Sequence, residues 1–134
     1  MNSKRKNLEF HARSLELRFP NGKCNVSDNN LTWIGELSPT PLSRTYEIKI
    51  EYEVFKKPKV KIISLGLTIP YIKSEIHMFE DGSLCVYYNT ERKEWNHDMA
   101  LATSIVPWTC EWLYFYEIWV TTRKWCGGGI YPKQ

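Results

Sequence analysis

A chain of 134 residues with 43% hydrophobic and 25% charged residues fits a single domain, 1–134, large enough to bury a core without a metal or disulfide staple. Its net charge of +3 is carried on mixed surfaces, with short basic clusters at Lys4-Arg5-Lys6 and at Lys56, Lys57, Lys59 and Lys61, which argues against a nucleic-acid-binding face. No apolar run approaches a bilayer span and no leader-like run follows Met1, so a cytoplasmic protein with no membrane partner is expected.

Leu8, Ala12, Leu15 and Phe19 recur at three- or four-residue steps, which predicts an amphipathic helix ended by Pro20-Asn21-Gly22. Leu31 to Leu37 reads as a strand, broken by Ser38-Pro39-Thr40-Pro41. Tyr46 to Val54 alternates apolar and charged residues, the pattern of a strand with one buried and one wet face. Val60 to Ser64 gives a third strand and Ile72 to Ile76 a short fourth. Further on, Asp98 is placed to cap a short helix, Met99 to Ile105, and Pro107 suits the first turn of another. In that helix Trp108, Trp112, Phe115, Trp119 and Val120 share a face, with Tyr116 one residue off it. Arg123 and Lys124 complement its dipole, and Gly127-Gly128-Gly129 ends it as a cap or tail; no lysine-serine pair follows to make a phosphate loop. The expected class is α+β: an N-terminal helix, a four-stranded antiparallel meander and C-terminal helices.

The four cysteines, Cys24, Cys85, Cys110 and Cys126, form no Cys-x-x-Cys pair and have no zinc-finger partner spacing, so free thiols in a reducing compartment, with no metal and no cofactor, are expected. Cys85 stands out. It follows the turn signal Glu80-Asp81-Gly82-Ser83 at once, with His77 upstream and Trp95 downstream. Such a turn holds a thiol near a surface. Three readings fit these residues: a small buried hydrophobe, a cysteine hydrolase, or a thioester carrier. A hydrolase needs a base and a group orienting it, with His11, His77 and His97 the histidines available. A carrier needs less, because exchange between thioesters is nearly balanced in free energy and thiolate is intrinsically nucleophilic.

This order of elements, with His77, Gly82-Ser83-Leu84-Cys85-Val86 and Trp95, resembles the ubiquitin-conjugating enzymes, whose motif is His-Pro-Asn followed by Gly-x-Ile-Cys-Leu. The match is closer to the prokaryotic ubiquitin-conjugating-enzyme-like proteins of bacterial antiphage (CBASS) operons. It rests on Gly82 to Tyr87, Glu94-Trp95, Leu31 to Thr40, the run Pro107-Trp108-Thr109-Cys110-Glu111-Trp112-Leu113 continuing to Trp119, and Trp125-Cys126-Gly127-Gly128.

The resemblance implies a ubiquitin-conjugating-like fold and a transferase that holds the C-terminal tail of a cGAS-like nucleotidyltransferase as a Cys85 thioester and promotes its conjugation. The length leaves no room for an ATP-dependent activating domain, so a separate activating enzyme is expected. His77 would order the turn or relay a proton, Trp95 would wall the cleft, and His97 is a second polar neighbour. Met78 and Phe79 replace the proline and asparagine of the motif. Oxyanion support during lysine attack then falls to a backbone N–H near Cys85 or to Asn89 or Asn96. The alternative is a non-catalytic module on the same fold that docks the cyclase.

Overall fold

The structure, a computed structural model, describes residues 2–63, 73–86 and 95–127. Helix α1 (Ser3–Arg18) begins ahead of its apolar stripe because Asn2 caps it, its side chain accepting the Lys4 N–H at 2.8 Å. Leu8, His11, Ala12 and Leu15 form the buried face. Four antiparallel strands follow, β1 (Lys23–Val26), β2 (Asn30–Leu37), β3 (Tyr46–Glu53) and β4 (Lys59–Ile62), paired in sequence order. Trp33 lies opposite Ile50 and Leu31 opposite Tyr52. Alternation sends these side chains to one face, where α1 packs, while Glu36, Glu47 and Lys59 face out. Helix α2 (Ile105–Thr122) completes the core through Ile105, Val106, Thr109, Trp112, Leu113, Tyr116 and Trp119.

Trp33 sets a steric condition on β2. A Cβ at Gly35, two residues along the same face, would overlap the Trp33 ring, and one at Gly22 would lie 2.6 Å from its Nε1. Gly35→Val is therefore expected to cost about 1–3 kcal/mol by overpacking, read as a lower urea midpoint with an unchanged slope. An unchanged midpoint would show that the indole has room to move.

Several expectations need correction. Among the described residues the sheet has four strands, but not the expected four. Ile72 falls outside the described residues, and Lys73–Ile76 is a single 3-10 turn; apolar residues four apart suit a helical turn as well as a strand. The fourth strand is β1 instead, an edge strand whose side chains are mostly exposed. Met99 to Ile105 is not an α-helix. Only Leu101–Thr103 forms a 3-10 turn, preceded by Ala100 rather than capped by Asp98, so α2 is the one α-helix after the sheet among the described residues. The buried face of α2 includes Tyr116, because its ring stacks on Trp112 at 5.6 Å, whereas Trp108 and Phe115 are only partly covered. Arg123 ends α2 in the left-handed conformation (φ 61°), its N–H reaching the Trp119 carbonyl at 2.7 Å, ahead of Gly127; Gly128 and Gly129 lie outside the described residues. No described helix is long and apolar enough to cross a membrane.

Candidate active site around Cys85

The segment from His77 to Cys85 folds back on itself. Met78 bridges Leu84, the Phe79 N–H donates to the Ser83 carbonyl at 2.8 Å, and the Cys85 N–H donates to the His77 carbonyl at 2.8 Å. Gly82 takes a φ of 88° at the tip, with open space where a Cβ would stand, so glycine is needed there for conformation alone. Asp81 fixes the turn by accepting from the Ser83 N–H at 2.9 Å and the Ser83 hydroxyl at 2.6 Å. Those two bonds, with the Lys59 ammonium 3.1 Å away, hold its carboxyl well below the usual carboxylate range. The Leu84 N–H donates to the Val60 carbonyl at 2.7 Å, which attaches the turn to β4. The Val86 N–H then reaches back to the Leu84 carbonyl at 3.1 Å, so the chain bends sharply with Cys85 at the corner.

The tip of this turn is exposed, but its return strand is covered. Cys85 keeps 9% of its surface, less open than a turn-borne thiol suggests, because residues 83–85 lie between β4 and residues 77–79 instead of standing free. His77 is 4% exposed and adopts φ 53°. Two donors fix that conformation through its carbonyl: the Cys85 N–H and, at 3.0 Å, the Trp112 indole N–H. The Trp125 ring stacks on the imidazole at 5.0 Å. Burial lowers the His77 pKa to about 4, so the imidazole is neutral at physiological pH and a weak base.

His77 and Cys85 are thus brought together by main-chain pairing. Trp95 and His97 make their ring and polar contacts elsewhere. The Trp95 ring meets Tyr52 at 5.7 Å and His11 at 6.0 Å, and its N–H donates to Ser104 at 3.1 Å. The His97 ring lies against Phe55, and its carbonyl accepts from Asn7 and His11. Asn96 shapes a turn, its side-chain oxygen accepting the Asp98 N–H at 2.9 Å, while Asn89 lies outside the described residues. The backbone N–H groups of Ser83, Leu84, Cys85 and Val86 are each hydrogen-bonded within the fold, so none of the four points freely at an oxyanion. Trp112, Trp125, Asp81 and Ser83 were not singled out as site residues by sequence reasoning, although Asp81-Gly82 and the Trp-Cys-Gly segment were visible signals.

No group of three or more metal-ligating side chains occurs among the described residues. A shallow groove of about 350 Å³ lies along the outer side of α2, lined by residues such as Thr40, Tyr114, Glu117 and Ile118, and its lining includes no residue of the Cys85 turn. Comparison with protein families gives a match over residues 11–132 to the Type II CBASS E2 protein family. The chain belongs to that family. No curated protein matches it. As a Type II CBASS E2 protein it has an E2-like role in CBASS antiphage defence, and its partner belongs within that system.

Proposed function

We propose that this CBASS E2 protein is a ubiquitin-conjugating-like transferase on a single ubiquitin-conjugating-type domain. In this reading Cys85 forms a thioester with the C-terminus of a cGAS-like nucleotidyltransferase delivered by a separate activating enzyme in the cytoplasm. The observation that carries it is the seat of Cys85: a thiol at a chain corner, tied by its own N–H to the carbonyl of His77. The Cys85 sulfur, as thiolate, attacks the incoming thioester carbonyl and the donor thiolate leaves, so the step is an exchange of like bonds. His77 orders the turn rather than relaying protons, in keeping with its low basicity. With the neighbouring backbone donors engaged, Asn89 or Asn96 supplies oxyanion support.

The test uses a glycine-ending peptide supplied as its mercaptoethanesulfonate thioester. The expected product is a one-to-one adduct that hydroxylamine removes and that maps to Cys85 by mass spectrometry. An adduct confined to exposed Cys126 would reject the assignment. The low exposure of Cys85 favours one second reading, a docking module without chemistry. It expects Cys85→Ala to leave antiphage defence intact.

A further inference from the structure

Beyond α2 the chain turns back onto His77. Arg123, in the left-handed conformation, lays its guanidinium over the Trp119 ring at 4.5 Å, and the Lys124 N–H donates to the Thr122 hydroxyl at 3.1 Å. The next residue, Trp125, stacks on His77 with the rings 5.0 Å apart and within 15° of parallel. Its indole has aromatic neighbours on α2 as well: the Trp112 ring lies 5.4 Å from it and the Phe115 ring 6.2 Å. Gly127 closes this seat. A Cβ there would stand 2.8 Å from both Phe115 Cδ2 and Trp125 Nε1, so the missing side chain lets the backbone pass against both rings.

His77 is the residue that such a seat serves. A left-handed conformation away from glycine is unfavourable and persists where the surroundings over-determine it. The His77 carbonyl is held by the Cys85 and Trp112 N–H groups, and its ring is held by Trp125. Allowed rotamers depend on φ and ψ. An imidazole kept flat against an indole therefore resists relaxation of the backbone that carries it.

We infer that Trp125 is a positioning residue for Cys85: its stack on His77 keeps the left-handed turn whose carbonyl anchors the Cys85 N–H, and so fixes where the thiol meets the incoming carbonyl. The inference rests on the acyl-carrier reading, since loading is the step it serves. Trp125 acts through His77 and not on the reacting atoms. Misplacing a reacting group by about 1 Å costs on the order of a hundredfold in rate. A partly covered tryptophan at the margin of the fold thereby has a large effect on the reaction of the thiol.

The experiment measures loading of the full chain with the glycine-ending peptide thioester at a series of peptide concentrations, and follows the His77 imidazole by NMR across pH. In Trp125→Ala the maximal loading rate should fall about tenfold or more, with the half-saturating concentration within about twofold. The imidazole, uncovered on one face, should titrate about one pH unit or more above its value in the unaltered chain. Trp125→Phe keeps a ring on the imidazole and should recover loading to within about threefold. Gly127→Val retains the indole but drives it off its seat, and should reproduce the alanine result. Gly35→Val is the control: it weakens the fold around Trp33, on a strand two removed from β4, and should load at the unaltered maximal rate. A merely structural role for Trp125 would slow the two alike. An unchanged maximal rate in Trp125→Ala, or an equal loss in Gly35→Val, overturns the positioning role and leaves the carrier reading standing. Failure of the unaltered chain to load at all overturns both.

Discussion

Replacing Cys85 with alanine should reduce the hydroxylamine-labile adduct to background, a loss on the order of a thousandfold or more in rate, as expected for removal of a nucleophile. The fold should survive, because the change removes one sulfur atom from a residue at the margin of the core, at a cost of about 1 kcal/mol. The thermal midpoint of the variant should therefore lie only about 3–5 °C below that of the unaltered chain, with one cooperative transition retained. The other thiols provide internal controls. Burial pushes the Cys24 thiol up to about 11 and raises that of Cys110 as well, so both are poor thiolate donors at neutral pH. Cys126 is exposed, and Cys126→Ala should leave loading unchanged. Cys85→Ser separates position from chemistry: an oxygen ester at Ser in the variant would resist exchange and accumulate. Undiminished labile adduct on the Cys85→Ala protein would end the proposal.

How much of this was legible beforehand depends on which atoms hold each part. β2 and β3 declare themselves because one face of each is buried, so the apolar period is written in Leu31, Trp33, Ile48, Ile50 and Tyr52. β1 carries no such mark. Its side chains are mostly exposed, and it is a strand only because its backbone pairs with β2. The opposite error arose at Ile76, where a fully buried side chain belongs to a 3-10 turn, since one apolar anchor does not distinguish a strand from a helical turn. The turn before Cys85 was readable from Asp81-Gly82, because positive φ is a property of glycine itself. The contacts that hold His77 were not. Trp112 reaches the His77 main-chain carbonyl from 35 residues away, and a bond to a backbone atom places no demand on residue type at its acceptor.

That same bond ties the site to the core. α2 supplies Trp112 to the His77 carbonyl, and the residues beyond α2 supply Trp125 to its ring. Loosening this end of α2 would release the left-handed conformation at His77 and, with it, the partner of the Cys85 N–H. The thiol is positioned by long-range packing, although the turn that carries it is local.

Mild acid should weaken the protein through its two buried histidines. His11 is fully buried, and burial chiefly lowers its pKa to about 4 from an ordinary 6.5; His77 is lowered to about 4 by burial as well. The His11 contacts fix its tautomer. Its Nε2–H donates to the His97 carbonyl at 3.0 Å, and its Nδ1 accepts the Leu101 N–H at 3.3 Å. A second proton on Nδ1 would face that N–H, donor against donor. Because both folded-state values lie below the unfolded one, the unfolded chain takes up protons first as pH falls. Stability is then flat above about pH 6.5 and declines from there toward pH 4. Linkage gives on the order of 2 kcal/mol per histidine at pH 5, about 4 kcal/mol together, a large share of a typical domain's stability. Asp81 acts in a different window: its depressed pKa contributes stability above the ordinary carboxylate value, lost only at lower pH, so it stays ionised throughout this range. Urea titrations between pH 7.5 and 5 should show the falling midpoint. His11→Gln should keep only the His77 share of the slope, roughly half. A midpoint that stays level across that interval would mean that the imidazoles gain protons without leaving their native contacts.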